Sequence, residues 1–393
     1  MITLRPNQVE PVRAAVAYFK ETKPVPAILI APTAFGKSVL VAAILQEFPN
    51  DSFVVIQPSV ELLRQNRGKF ELTGNDSDVY SASFGQKSIG RITFATIGSI
   101  YKIGHEFRGV SKIIVDECHL YPRNADSMFG KFLKDSGITH VLGLTATPFK
   151  LQTNTDRMGY TYSKLVMLTN PSGKGNFFKK IISVSQVQDI VRLGYWSKLE
   201  YYKFQTDTSM LRMNSSGSEF TDASIEKMYK KNKNHDRIKT IIEKSQRRSI
   251  LVFVPSVAEA KSLSELFPGS AYIHGDTDKK ERPKIIEGFK NLSIRVVFNV
   301  NVLSVGFDHP LLDCIILARS TASVAWYYQA LGRITRIHDE KGRAIIVDLS
   351  GCVDRFGKIE DFVFHQKGNR WEMYSNNIKL TGIPMDEIGK HKL

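Results

Sequence analysis

Cysteine is scarce in this chain: only Cys118, Cys314 and Cys352 occur in 393 residues, far apart and with no Cys-x-x-Cys pair. That spacing excludes a disulfide framework and a zinc site, and it points to a reducing, cytoplasmic setting. Long apolar runs are also missing. None approaches the ~20 residues of a membrane span, and Met1 to Pro6 lacks the apolar region of a signal peptide. Acid is in deficit, with 39 Asp and Glu against 54 Lys and Arg, a net charge of +15. A globular chain this basic suits a polyanionic partner, nucleic acid first. No short repeat is visible, and the length predicts two domains and a small extra.

What the chain does contain begins with Ala31-Pro32-Thr33-Ala34-Phe35-Gly36-Lys37-Ser38. It follows an apolar run, Ala27 to Ile30, and precedes a helically spaced segment, Val39 to Phe48. Strand, tight loop and helix is the setting in which Gly-Lys-Ser cradles phosphates. Backbone N–H groups would wrap the anion, the Lys37 ammonium would reach the β and γ phosphates, and the Ser38 hydroxyl would hold Mg²⁺. Two alanines depart from the usual loop. Ala31 stands at its first glycine, and the methyl of Ala34 restricts positive φ.

Strand-like and helical segments then alternate. Phe53 to Gln57, Ile92 to Thr96, Lys112 to Asp116 and Val141 to Leu144 read as strands in the first half. Ser249 to Val254, Ala271 to Ile273, Ile294 to Phe298, Asp313 to Ala318 and Arg343 to Leu349 do so in the second. Such alternation predicts α/β lobes, each a parallel sheet covered by helices, with ligands at the carboxyl ends of the strands. The boundaries are set at 1–204, 205–352 and a C-terminal extension, 353–393. Between Lys150 and Lys203 the pattern weakens, and Ile181 to Leu193 reads as helix.

Asp116 and Glu117 end one strand. An NTPase needs one carboxylate that holds Mg²⁺ and another that polarises the attacking water, and these two suit those roles in that order. His119 is placed to sense the γ-phosphate. Gln8, on a helix opened by Pro6, could offer its amide edge to a base. In Gln329-Ala330-Leu331-Gly332-Arg333-Ile334-Thr335-Arg336, two arginines at i and i+3 would share a face at a helix start. Their planar, permanently charged forks suit the charge that develops on a transferred phosphoryl group.

The ordered set resembles the superfamily 2 DExH-type helicases and translocases, which have two tandem RecA-like lobes, over roughly residues 4 to 350. The segment with Arg5 and Gln8 resembles the adenine-reading motif, and Ala31 to Ser38 motif I. Pro58 to Leu62 resembles motif Ia, Asp116-Glu117-Cys118-His119 motif II, and Thr145-Ala146-Thr147 motif III. Ile250 to Ser256 resembles motif IV, Asn299 to Asp308 motif V, and Gln329 to Arg336 motif VI. Val302 to Pro310 and Gln329 to Arg336 look closest to the RadD, UvsW and XPB-like DNA helicases, and Val347 to Gly357 looks particularly RadD-like, without a RadD-type cysteine-rich zinc tail.

The resemblance implies ATP and Mg²⁺ as cofactors. Arg5, Gln8, Thr33, Gly36, Lys37, Ser38, Gly306 and Asp308 would bind nucleotide. Gln329, Arg333 and Arg336 would act on it from the second lobe, with Arg336 as the arginine finger. Thr145 and Thr147, with His119, would couple hydrolysis to movement. Pro58, Ser59, Thr96, Ser256, His274 and Asn299 would touch a strand's sugar-phosphate backbone. The implied partner is DNA, as a single strand, fork or branched junction, with RNA as the rival. The implied setting is repair, recombination or replication by a monomeric motor in a bacterial or phage-infected cell. A translocase without net unwinding and a nucleotide-gated binding module are the further readings. Phe84 and the segment 170–178 are the candidates for a strand-separating wedge.

Overall fold

The computed structural model describes residues 2–121, 124–169, 176–303 and 307–390. Its contacts divide the chain into two units. Met1–Lys150, Val166–Ile190 and Phe364–Trp371 form the first; Leu151–Leu165, Val191–Val363 and Glu372–Leu393 form the second.

The first unit opens with α1 (Pro6–Phe19), whose Pro6 occupies the first turn, where a missing N–H costs nothing. There follow β1 (Ala27–Ile30), α2 (Lys37–Gln46), β2 (Phe53–Gln57), α3 (Val60–Glu71), β3 (Asp78–Ser81) and β4 (Gln86–Lys87). Next come β5 (Ile92–Thr96), α4 (Ile97–Ile100), β6 (Lys112–Asp116), α5 (Met128–Ser136) and β7 (His140–Thr145). A two-stranded ribbon, β8 (Phe149–Thr155) and β9 (Thr161–Met167), groups mostly with the second unit, and the chain then returns to the first with β10 (Lys180–Val184) and α6 (Val187–Arg192).

The sheet order is β10-β1-β7-β6-β2-β5-β3-β4, parallel except for the β3–β4 pair. Every residue of β1, β2 and β6 is buried, as expected for strands covered on both faces. β10 corrects the helix expected over Ile181 to Leu193. Ile181, Ile182 and Val184 are β-branched and pair with the open edge of β1, so the helix begins only at Val187.

The second unit contains β11 (Leu199–Lys203), α7 (Asp222–Lys231), α8 (Asn234–Lys244), β12 (Ile250–Phe253), α9 (Val257–Leu266), β13 (Ala271–Ile273) and α10 (Glu281–Lys290). β14 (Val296–Asn299), β15 (Cys314–Leu317), α11 (Val324–Leu331), β16 (Ala344–Asp348) and α12 (Cys352–Phe356) complete its α/β part. β17 (Phe362–Lys367), β18 (Arg370–Ser375) and β19 (Ile378–Lys379) form a small sheet in the region read only as an extension, with Phe364–Trp371 grouped in the first unit. The main sheet runs β11-β16-β15-β12-β14-β13, all parallel. Alternate residues Ile250, Val252, Val296, Phe298, Cys314 and Ile316 form one core with Tyr229, Ile238, Ile242 and Leu263 from the helices. That period of two puts them on one face.

β11 pairs with β16 throughout, so the continuous stretch Val191–Val363 groups with the second unit, as Leu151–Leu165 does before it. The two units also share a local device. Ser59 and Ser256 follow β2 and β12 after a proline, with φ/ψ of −142/159° and −142/160°. Each hydroxyl accepts the N–H three residues on, from Leu62 at 3.3 Å and from Glu259 at 3.4 Å, capping the next helix. Among the described residues no helix is long and apolar enough to cross a membrane.

Candidate active site

Strand order assembles the site of the first unit. β7 lies between β1 and β6, so three loops meet: Ala31 to Ser38, Thr145 to Thr147, and Asp116-Glu117. Lys37 opens α2, whose first turn holds no acidic residue, leaving the helix N-terminus suited to an anion. The loop before it turns twice through positive φ, at Ala34 (56°) and at Gly36 (92°). Ala34 thus takes the conformation its methyl disfavours, close to the left-handed minimum.

Gln8 is 2% exposed and anchors this loop. Its Oε1 accepts Arg5 N at 3.0 Å, closing the start of α1, and its Nε2 donates to Phe35 O at 2.7 Å. Both ends of the amide are therefore engaged within the protein, and the expected base contact would fall to its second N–H.

Lys37 Nζ pairs with Glu117 Oε1 at 2.5 Å. Glu117 itself sits at φ 47°, a strained conformation of the kind that collects at functional sites. Its Oε2 lies 3.5 Å from His119 Nδ1, which in turn stands 2.8 Å from Thr145 Oγ1 and 3.3 Å from Thr147 Oγ1. Both threonines are fully buried. A continuous polar chain therefore joins the phosphate loop, the acid pair and the Thr-Ala-Thr strand end.

Asp116 is 1% exposed. Its Oδ1 accepts Glu117 N at 3.0 Å and its Oδ2 accepts Asn66 Nδ2 at 2.9 Å. Burial pushes its carboxyl up to about 6, with Lys37 opposing the shift and Glu117 adding to it. Sequence reasoning missed Asn66. It stands with Leu63 and Phe70 on the buried stripe of α3, and a polar residue at that spacing was the available signal. Ser38 at the start of α2 and Asp116 at the end of β6, both buried, offer a hydroxyl and a carboxylate, a hard-oxygen donor set that fits Mg²⁺.

Other assigned residues stand at neighbouring strand ends. Pro58 and Ser59 follow Gln57, whose register partner on β5 is Thr96. Thr96 Oγ1 donates to Ser81 Oγ at 3.1 Å. In the loop around Phe84, one wedge candidate, the Phe84 ring lies beneath Arg64 and Arg67, 4.5 and 5.6 Å from the centroid. Segment 170–175 of the other wedge candidate, with Ser304 and Gly306, lies outside the described residues.

In the second unit, Ser256, Asn299 and His274 stand at the ends of three adjacent strands, β12, β14 and β13. His274 stacks on Tyr272 with 5.9 Å between centroids. Asn299 has a structural role beside its assignment as a strand contact. It is wholly buried, and its Oδ1 accepts Val302 N at 3.1 Å and Leu303 N at 2.9 Å, shaping the following loop.

Arg333 and Arg336 also differ from expectation. α11, which carries Gln329, ends at Leu331, and both arginines lie beyond it in irregular chain. The carbonyls of residues 334–336 are taken by Lys341 and Ser197, so the helix does not continue. Arg336 Nε pairs with Asp308 Oδ1 at 2.5 Å, and Arg333 Nη1 donates to Phe307 O at 3.0 Å.

Both units match profiles of known families. The profile of the Type III restriction enzyme res subunit matches residues 1–150, and that of the helicase conserved C-terminal domain matches residues 232–338. Saccharomyces cerevisiae IRC3, named as an ATP-dependent helicase, is 27% identical over 72% of this chain and 39% of its own length. A 51.5 kDa protein of a Lactococcus phage is 24% identical over 81% of this chain and 64% of its own. The chain thus spans less than two thirds of either relative. The DNA 3'-5' translocase XPB2 of Sulfurisphaera tokodaii is 23% identical over 90% of this chain and 83% of its own length.

Two solved structures share the fold. The DNA-bound Type ISP restriction-modification enzyme LlaBIII has a TM-score of 0.61 at 16% identity, over 89% of this chain and 28% of that one. S. cerevisiae Dbp5 bound to RNA and ADP BeF3 has a TM-score of 0.55 at 15% identity, over 88% of each chain.

Proposed function

Because the chain belongs to superfamily 2 of the helicases, we propose that it is an ATP-driven motor that moves along or remodels DNA at single strands, forks or branched junctions. The observation that carries the ATPase reading is the Lys37–Glu117–His119–Thr145 chain at the mouth of the phosphate loop. Phosphates arriving at the N-terminus of α2 would compete for the Lys37 ammonium. Glu117 would then be released to orient the attacking water, while Ser38 and Asp116 would hold Mg²⁺, which neutralises charge on the phosphates. Thr145 and Thr147, touching His119, would carry the state of Glu117 to the strand end.

The second unit would contribute Arg333 and Arg336 as donors to the developing charge. Both are held by residues 307–308, so binding of nucleotide would exchange or share those partners. Nucleic acid would lie along Pro58, Ser59, Thr96, Ser256 and His274, all at carboxyl ends of strands. Contacts there would be to phosphate and sugar and would read no sequence.

DNA is favoured over RNA by the subgroup motifs and by the relative named a DNA translocase. The test is ATP turnover with DNA and RNA of matched sequence, in wild type and in Lys37→Ala and Glu117→Gln. Both variants should lose turnover while the wild type responds more strongly to DNA. Stronger stimulation by RNA would reverse the choice of polymer, and full activity in either variant would remove the assigned chemistry.

A further inference from the structure

The short irregular segment that carries Arg333 and Arg336 is gripped from two sides. Lys341 Nζ donates to Ile334 O at 2.6 Å and to Arg336 O at 2.7 Å. Ser197 donates its Oγ to Arg336 O at 2.6 Å and its backbone N–H to Thr335 O at 2.8 Å. Three successive carbonyls are thus taken, and that of Arg336 accepts twice. Thr335 Oγ1 adds an internal bond to Gly332 O at 3.0 Å.

Lys341 and Ser197 are only 8% and 7% exposed. An ammonium withdrawn from water in this way is costly unless its donors are used, and here two backbone carbonyls use them. A well-packed apolar residue would ordinarily stabilise such a place at least as well. Stability alone is therefore a poor account of a lysine here. What an apolar residue could not do is hold the carbonyls of residues 334 and 336 in one fixed geometry. A neutral amine keeps two hydrogens and reaches the same two acceptors, so the grip does not depend on one protonation state.

We propose that Lys341 and Ser197 are positioning residues that clamp the backbone of residues 334–336 and thereby aim the Arg333 and Arg336 guanidiniums at the transferring phosphoryl group. This rests on the reading of those arginines given under Proposed function. The clamp acts on the peptide backbone and leaves both guanidiniums to their own partners, Phe307 O and Asp308. Displacing a donor by ~1 Å costs on the order of 10²-fold in rate. The arginines would act on charge that develops in the transition state, so misaiming them lowers kcat and leaves ATP binding nearly intact.

The test is steady-state ATP turnover, with saturating single-stranded DNA, of wild type, Lys341→Met, Ser197→Ala, Arg336→Ala and the Lys341→Met/Arg336→Ala pair. Lys341→Met should lower kcat by ~10- to 100-fold with KM for ATP within about twofold. Ser197→Ala removes one of the two side-chain donors, should show a smaller loss with the same split, and serves if Lys341→Met folds poorly. In the Arg336→Ala background, Lys341→Met should cost clearly less than it does alone, because only Arg333 is left to be misaimed. A purely structural lysine would give losses that multiply, and that result overturns the proposal. So does wild-type kcat in Lys341→Met beside an inactive Arg336→Ala. Wild-type turnover in Arg336→Ala would instead refute the underlying reading of the arginines, and the clamp with it.

Discussion

Replacing Gly36 by alanine probes the geometry on which the phosphate loop depends. Gly36 sits at φ +92°, and a Cβ there would stand 2.7 Å from Gln8 Nε2. Two costs add. The left-handed backbone costs an L-residue ~1–2 kcal/mol. The Gln8 amide must also withdraw from Phe35 O, a hydrogen bond of 2.7 Å worth about 1 kcal/mol. Alanine offsets ~0.4–1 kcal/mol by narrowing the unfolded ensemble. The net loss is about 1–2.5 kcal/mol, read as a lower urea midpoint and weaker binding of a non-hydrolysable ATP analogue. A Gln8→Ala background separates the costs: the clash disappears there, and the backbone strain remains. Ala34 supplies the internal contrast. At φ 56° it lies near the left-handed minimum, so Ala34→Gly should change stability by less than ~1 kcal/mol. A Gly36→Ala protein as stable as wild type would refute this account of the loop.

Two other perturbations have signs set by the structure. Asn66→Leu removes the donor to Asp116 Oδ2 and leaves a buried carboxylate oxygen without that partner, a loss of ~1.5–3 kcal/mol. ATP turnover should fall and the Mg²⁺ concentration for half-activation should rise; an unchanged Mg²⁺ titration would count against Asn66 as the holder of Asp116. Burial also pushes the Lys341 ammonium from 10.5 down to about 7. Facing it, Asp313 opposes that shift and Arg336 adds to it, and the same cluster includes His309 and Asp308. Between about pH 7 and about pH 10 the unfolded chain therefore binds more protons than the folded one, and this group makes stability rise with pH by up to ~1.4 kcal/mol per unit. Denaturant midpoints across that range should climb more steeply in wild type than in Lys341→Met. Parallel slopes would show that the lysine is not withdrawn from water.

Much of the architecture was legible because it depends on contiguous residues. Ala27 to Ile30, Phe53 to Gln57 and Lys112 to Asp116 are apolar runs bounded by polar turns, and they became fully buried parallel strands. Periodicity was misleading where an edge decided the outcome. Ile181 to Leu193 reads as one helix, yet β1 offers a parallel edge that takes Lys180–Val184 as strand. The segment around Arg333 and Arg336 looked helical too, but the carbonyls beyond α11 are diverted to Lys341 and Ser197. Nothing in the sequence signalled that the Asn299 side-chain oxygen holds the next loop, because that bond depends on how the chain turns after β14.

By itself the sequence determined the elements and the chemical inventory: two sets of strands and helices, a Gly-Lys-Ser loop, an acid pair and two arginines. Short-range spacing encodes those, because a period of two or 3.6 and a turn are properties of neighbours along the chain. Only the tertiary structure decided which groups meet. Lys37 reaches Glu117 across 80 residues, Asn66 reaches Asp116 across 50, and Ser197 reaches Arg336 across 139. In the first unit those meetings follow from a strand order, β1-β7-β6-β2, that does not run in sequence. Partnership between distant polar groups is set by which strands lie side by side and by burial that leaves each group few other partners.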